Sequence, residues 1–164
     1  MVVDMNLKPM LVAITLLCSN ASVGAGGYGT PVPMTLKGSQ TFYVSGRIPG
    51  VEPTEFMVDT GSSYLTINQV TLDQLRLNGQ AEYQRDLIAV LANGDELVMP
   101  VYRIAKIVFG DRCELFEVEA VVFPGETRQI LGLSALKKAA PFSFSIDPPV
   151  LQLSNCTQQL SRAE

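Results

Sequence analysis

Short apolar segments recur along most of this chain, and polar or Gly- and Pro-containing turns separate them. Several segments alternate apolar with polar positions or combine β-branched with aromatic residues, which is the pattern of a β-strand. The predicted strands cover residues 41–45, 55–58, 64–67, 87–90, 96–99, 102–109, 115–123, 142–146 and 150–153. Asn93-Gly94, between two of these strands, predicts a hairpin turn.

Only two short helices interrupt this pattern. Asn68 is a suitable N-cap for a helix that carries Val70, Leu72 and Leu75 on one side. A second helix of one or two turns is predicted over residues 134–140, with Ser134 as its N-cap. Many short strands with so little helix indicate one all-β domain.

The N-terminal part of the chain has the features of a targeting segment. Lys8 precedes an apolar run over residues 10–18, and small residues fit cleavage after Ala25. The run is shorter than the roughly 20 apolar residues that span a bilayer. We therefore expect a signal peptide over residues 1–25 and an exported protein, periplasmic or secreted, that is free of the membrane after cleavage. The alternative is a buried N-terminal helix.

After cleavage we expect a flexible leader, one domain and a frayed tail. Residues 26–40 begin with Gly- and Pro-rich sequence, residues 41–156 hold the predicted strands, and residues 157–164 are polar. The pattern G-x-G-x-x-G occurs over residues 24–29. It does not follow a strand of a βαβ unit, so it predicts no dinucleotide site.

Composition narrows the possible chemistry. Of the 164 residues, 47% are hydrophobic and the net charge is −4, so we expect a packed core and no nucleic-acid partner. The chain contains no histidine, which excludes Ser-His and Cys-His nucleophilic pairs and removes the commonest zinc ligand. Catalysis would have to rest on carboxylates, Lys, Tyr or Cys, and we expect neither a metal nor a cofactor.

Two cysteines remain beyond the predicted cleavage site, Cys113 and Cys156. In an oxidising compartment they could form a disulfide, and otherwise they would be two unpaired buried thiols. The sequence leaves both alternatives open because it does not place the two residues within bonding distance.

The sequence Asp59-Thr60-Gly61-Ser62-Ser63 carries the main chemical signal. An ionisable residue leaves a short apolar strand, and Gly two positions later allows a tight loop in which hydroxyl groups can hydrogen-bond the acid. A Ser62 hydroxyl that donates to the carboxylate would favour its charged form, which predicts an acidic working pH. The alternative is a structural acid in an ordinary turn, for which Asp-Thr-Gly is also suited.

Residues 56–63 resemble the active-site loop of aspartic peptidases. Three later features resemble other parts of that family in order: residues 92–94 its flap, residues 130–132 its hydrophobic-hydrophobic-Gly motif, and residues 134–153 its closing helix and hairpin. The resemblance covers about residues 41–153 and is closest to exported bacterial retropepsin-like proteins with one lobe per chain. It implies a closed, mostly β acid-protease barrel lobe with one or two short helices.

The resemblance also implies site residues and a partner. The catalytic loop would be Asp59, Thr60, Gly61 and Ser62, and substrate binding would involve Ala92, Asn93, Gly94 and Gly132. Only one Asp-Thr-Gly is present, whereas this chemistry needs two carboxylates that share a proton. The family pattern therefore implies a homodimer with one Asp59 from each chain. Thr60 hydroxyls would brace the two loops, and a flap would close over an extended polypeptide substrate.

One departure from the family pattern and several alternatives accompany this interpretation. Ser after Asp-Thr-Gly is commoner in two-lobed pepsin-like enzymes, but 164 residues are too few for two lobes. A dimer of the same fold could bind a peptide without cleaving it, or serve as an exported scaffold. Residues 134–137 match the S-x-x-K serine–lysine pattern, but its companion motifs are absent, so we interpret Lys137 and Lys138 as a solvated face.

Overall fold

The computed structural model describes residues 29–38, 40–90 and 94–157. These residues form mostly strands, and the predicted all-β class is confirmed. In chain order the elements are β1 (Thr30–Lys37), β2 (Thr41–Arg47), β3 (Thr54–Val58), β4 (Leu65–Asn68), α1 (Gln69–Leu77), β5 (Ala81–Val90), β6 (Glu96–Phe109), β7 (Cys113–Phe123), β8 (Gln129–Leu131), α2 (Leu133–Leu136), β9 (Phe142–Ser145) and β10 (Val150–Leu153).

The strands pair in the order β5-β6-β7-β4-β8-β3-β2-β1-β10-β9, and β6 also pairs with β2. This extra pairing joins the ends of the segment that runs from β6 through β7, β4, β8 and β3 to β2, so that part of the sheet closes into a barrel. β5 extends from β6 on one side. β1, β10 and β9 continue from β2 on the other side, and we call these three strands the terminal sheet. The predicted closed barrel lobe is therefore confirmed.

The main hydrophobic core fills the barrel and is closed by α1. Asn68 caps this helix as predicted, because its side chain accepts the Thr71 N–H at 2.9 Å. Leu72 and Leu75 are buried, but Val70 is 44% exposed. The assignment of Val70 to the buried side is wrong, because it lies five positions from Leu75, about 140° around the helix axis.

Residues 30–37 form β1, although the sequence places them in a flexible leader. The first half of β1 pairs with β10 and the second half with β2. Val32 and Met34 are buried, so β1 contributes side chains to the hydrophobic core. Pro31 and Pro33 weaken its signal in the sequence, but both lie in the half that pairs with β10, where a strand with a free side tolerates a missing N–H.

β6 is one strand of 14 residues, although the sequence indicates two strands separated by Pro100. β6 pairs with β5 from Glu96 to Ile104 and with β7 from Val101 to Phe109, so residues 96–100 pair with β5 but not with β7. Pro100 is thus the first residue beyond β7, where no N–H is needed on that side. The part of the β5–β6 hairpin that extends past β7, residues 86–90 and 94–100, is called the arm below.

Cys113 and Cys156 form a disulfide, which decides between the two alternatives that the sequence leaves open. The bond joins the start of β7 to the segment after β10. There the Thr157 N–H donates to the Glu114 carbonyl at 3.3 Å, so Thr157 is paired although the sequence places it in a frayed tail. Residues 158–164, the predicted signal peptide and residues 26–28 lie outside the described residues.

Candidate active site

Asp59 follows β3 at the point where that strand runs parallel to β8. Val58 pairs with Leu131, and the Asp59 N–H donates to the Leu131 carbonyl at 3.1 Å, so the backbone is held as far as the acid. Asp59 is partly exposed, and its Oδ1 accepts the Gly61 N–H at 2.9 Å. The carboxylate is therefore oriented and still accessible to a reactant.

The turn after β8 passes directly behind this loop. A Cβ on Gly132 would lie 2.1 Å from the Tyr64 carbonyl oxygen and 2.8 Å from that of Ser62, so no side chain fits there. The Leu133 N–H donates to the Ser62 carbonyl at 2.8 Å. Gly132 is buried, and its role in substrate binding stays a prediction. It supports the loop from behind.

The hydroxyl of Ser62 has a different partner from the predicted one. It donates to the Tyr64 carbonyl at 3.0 Å. It therefore braces the backbone of the loop, and this contact gives no support to the predicted acidic working pH. Thr60 and Gly61 are exposed at the tip of the loop, where a partner or substrate can reach them.

Ser134 connects three elements through one hydroxyl. It accepts the Leu65 N–H at 2.7 Å and donates to the Glu119 carbonyl at 2.6 Å. Because its donor and an acceptor site are both in use, the hydroxyl is a structural brace. Gly132 occupies the N-cap position of α2, so Ser134 lies within the helix and its prediction as the N-cap is wrong. α2 is also shorter than predicted because turns follow Leu136.

The arm carries apolar side chains on both faces. Its inner face contributes to a small hydrophobic cluster formed by Met99, Val101, Val121, Tyr64, Leu87, Leu97 and Phe123. Tyr64 follows the Asp59 loop, so this cluster connects the arm to the loop. On the outer face Ile88, Val90 and Val98 are more than 60% exposed. Gly94 is exposed at the end of the arm, while Ala92 and Asn93 lie outside the described residues.

Tyr64, Arg85 and Glu119 form a hydrogen-bonded group beside the loop that sequence analysis missed. Arg85 on β5 donates to both carboxylate oxygens of Glu119 on β7, at 2.7 and 2.8 Å, and to the Tyr64 hydroxyl at 3.2 Å. The hydrogen bonds from Arg85 hold the pKa of the Glu119 carboxyl below its usual value, and those to Glu119 and Tyr64 raise the pKa of Arg85. No local pattern signals the group, because Arg85 is 21 positions from Tyr64 and 34 from Glu119.

Two other features are absent from the described ranges. No group of three or more His, Cys, Asp or Glu side chains there is arranged to hold a metal ion. No helix in those ranges is long and apolar enough to cross a membrane.

Comparison with known proteins gives one family match and a structural match. The profile of a family described as aspartyl protease matches residues 44–135, which is more than half of the chain and includes the Asp59 loop and Gly132. No curated protein matches the sequence significantly. The fold is similar to that of a retropepsin-like aspartic protease from Rickettsia conorii. The TM-score is 0.52 and the identity 20%, over 76% of this chain and 89% of that chain.

Proposed function

The chain belongs to the aspartyl protease family and has the retropepsin-like fold, and we propose that it is an endopeptidase that cleaves extended polypeptide segments. The observation that carries this proposal is the Asp59 loop. Its carboxylate is accessible, is oriented by the Gly61 N–H, and lies on a backbone that the Gly132 turn supports from behind. The apolar arm beside the loop is suited to cover an extended substrate.

One Asp59 is insufficient for this reaction, so the active unit that we propose is a homodimer. Two Asp59 carboxylates held about 3 Å apart share one proton, because two negative charges at that distance cannot both persist. The charged carboxylate takes a proton from a water molecule, whose oxygen attacks the peptide carbonyl carbon. The protonated carboxyl hydrogen-bonds the carbonyl oxygen as charge develops there. Protonation of the amide nitrogen then lets the C–N bond break. The exposed Thr60 hydroxyls would brace the two loops across the dimer axis.

The terminal sheet supports this dimer because the described residues leave part of its core-facing side exposed. Leu36 lies on the same face of β1 as Val32 and Met34, which are buried, yet Leu36 is 54% exposed. Its cross-strand partner is Phe42, whose ring meets the ring of Phe144 edge to face with centroids 5.1 Å apart. This exposed, core-facing leucine supports the proposal that a second molecule covers the surface.

Phe144 shows the same mismatch between orientation and burial. It pairs with Leu151, which is fully buried, yet Phe144 is 41% exposed. We call Leu36, Phe42 and Phe144 the terminal patch. The register of β2 and β3, continued by one residue, puts Phe42 opposite Val58, directly before Asp59. A second copy seated on the terminal patch would therefore lie beside the Asp59 loop, as a shared active site requires.

We also propose that the protein works outside the cytoplasm. The Cys113–Cys156 disulfide supports this location, because disulfides persist in oxidising compartments. The predicted signal peptide over residues 1–25 supports it independently. N-terminal sequencing of the mature native protein should begin at Gly26, and a mature chain that begins earlier would contradict the predicted cleavage.

A peptide-library cleavage assay tests the proposed function. We expect cleavage by the wild-type protein and none by Asp59→Asn, which keeps the shape of the side chain but cannot supply the charge. Asp111→Asn is the matched control, because Asp111 is an exposed turn carboxylate, and it should retain activity. If the dimer is the active unit, the rate should rise more steeply than linearly with protein concentration where dimers are scarce. A folded, dimeric protein that binds peptides without cleaving them would support the binding-module alternative instead.

A further inference from the structure

Arg85 lies at the base of the arm. It pairs with Val101, which is the residue nearest the arm among those of β6 that pair with β7. The register of β5 and β6 also shifts between Tyr83 and Arg85, and such a bulge bends a strand. Beyond Arg85 the arm is held by the β5–β6 pairing and by the small hydrophobic cluster. The direction in which the arm leaves the barrel is therefore set at this residue.

From this position the Arg85 side chain crosses β6 and reaches β7. Because neighbouring strands lie about 4.8 Å apart, the two hydrogen bonds from Arg85 to Glu119 connect strands about 10 Å apart. Two parallel hydrogen bonds to one carboxylate fix the plane of the guanidinium group, which a single contact does not do. The base of the arm is thereby held to a strand of the closed barrel.

Tyr64 extends this connection to the catalytic loop. Its hydroxyl accepts from Arg85 at 3.2 Å, and its ring packs on the cluster at the inner face of the arm. Its backbone carbonyl accepts the Ser62 hydroxyl and lies against Gly132. The side chain of Tyr64 thus contacts the arm, while its backbone helps to hold the Asp59 loop in place.

We propose that Arg85 is a positioning residue, which ties the base of the arm to the Asp59 loop through Glu119 and Tyr64 and gives the arm one defined position over a bound polypeptide. The effect on the arm rests on the structure, and the effect on catalysis rests on the proposed peptidase function. Without the link the arm samples more orientations. The apparent affinity for substrate then falls by the fraction of time that the arm is out of position.

Steady-state kinetics test the catalytic consequence. Arg85→Met keeps an unbranched aliphatic side chain but removes the link. We expect KM to rise about fivefold, as for the loss of one charge-assisted hydrogen-bonded pair, while kcat changes by less than about twofold. Arg85→Lys should not restore KM, because one ammonium group cannot reproduce the paired contacts to Glu119 and the contact to Tyr64. Tyr64→Phe, which deletes one hydroxyl, should raise KM less than Arg85→Met does. An unchanged KM in Arg85→Met would overturn the proposal.

Arg103→Met is the matched control for these variants. Arg103 is also a partly exposed arginine of this sheet, with ion pairs to Glu82 and Glu117. Those ion pairs join β5 to β7 without involving Tyr64, whereas Arg85 also donates to the Tyr64 hydroxyl. The control variant should therefore change KM by less than about twofold, as expected for an ordinary surface ion pair. An equal rise in KM in both variants would overturn the proposal, because it would show a general effect of lost charge.

Amide hydrogen exchange of the unliganded protein tests the link without any activity. In Arg85→Met, residues 86–90 and 94–100 should exchange about fivefold faster, while β3 and β4 keep their protection. A uniform increase along the chain would indicate a merely structural role and would overturn the proposal. Faster exchange confined to the arm, in a protein that shows no cleavage, would support the link and contradict the proposed function. Asp59-dependent cleavage together with unchanged exchange of the arm in Arg85→Met would support the proposed function and overturn the proposed link.

Discussion

The carbonyl oxygen of Tyr64 occupies the space that a side chain on Gly132 would need, since a Cβ there would come within 2.1 Å of it. The same turn donates a hydrogen bond from Leu133 to the Ser62 carbonyl. The position of the Asp59 loop is therefore set by close backbone packing against a segment from much later in the chain. Both segments must keep their present shapes for the acid to stay in place.

Gly132→Ala should destabilise the protein and displace the loop. A methyl group would push the backbone of residues 62–64 away, and overpacking of this kind costs about 3 kcal/mol of unfolding free energy. Gly38→Ala is the control, because nothing lies within 4 Å of its Cβ position and only its φ of +53° is strained. Its cost should be about 1 kcal/mol. Urea unfolding measures both variants, and equal losses would contradict the packing argument.

Ser62→Ala should weaken the loop without moving the pH dependence of cleavage. The Ser62 hydroxyl donates to the Tyr64 carbonyl, so its loss removes one hydrogen bond of about 1 kcal/mol. This bond goes to the backbone of the loop, whereas the Asp59 carboxylate accepts its hydrogen bond from the Gly61 N–H. The pH–rate profile of Ser62→Ala should therefore overlay that of the wild type. A displaced profile would show that the hydroxyl reaches Asp59 in the working enzyme.

Removal of the disulfide should lower stability while leaving the fold intact under mild conditions. Cys113 and Cys156 are separated by 43 positions, and a bridge that closes a loop of this length stabilises by about 4 kcal/mol in the chain-entropy estimate, often less in practice. The double variant Cys113→Ala/Cys156→Ala should show this loss in thermal unfolding. A reducing agent should destabilise the wild type and leave the double variant unchanged. Equal responses to reductant would argue against the bond.

A polar substitution in the terminal patch should weaken dimerisation. Leu36→Ser changes two leucines in each dimer, and if each buries about half of its surface the dissociation constant should rise about tenfold. Leu77→Ser is a matched control, because Leu77 is an exposed leucine at the end of α1. Sedimentation velocity over a range of protein concentrations measures both constants. Similar constants for the two variants would place the dimer interface elsewhere.

Acid should destabilise the fold partly through Glu119. Its folded-state pKa lies below the usual value because Arg85 hydrogen-bonds the charged carboxylate, with Lys138 and Arg103 nearby adding in the same direction. The stabilisation is therefore fully present above the unfolded pKa and is lost as the pH falls through the lower folded pKa. Between about pH 6 and pH 3, the unfolding free energy of wild type should fall more than that of Glu119→Gln, because Gln does not titrate. Parallel losses in urea unfolding would mean that the pair contributes nothing.

Local sequence patterns predicted the elements that depend mainly on interactions between residues close together in the chain. Asn68 has a side chain that caps the helix it precedes, and the apolar run before Asp59 becomes β3. Errors arose where tertiary pairing outweighed a local signal. Two prolines suggested a leader where β1 pairs with β10, and Pro100 suggested a break in β6 one residue before its pairing with β7 begins. A proline lowers strand propensity everywhere, but its cost depends on whether a partner needs its missing N–H.

The sequence by itself determined that the protein is a single all-β lobe with an acid on a tight loop, because strand alternation and the Asp-Thr-Gly turn are local properties of the chain. Only the tertiary structure decided that β6 meets β2 to close the barrel, that Cys113 bonds Cys156, and that Arg85 joins Glu119 to Tyr64. Each of these contacts joins residues far apart in the chain. Their distances follow from the register and twist of all the strands together, which no short segment encodes.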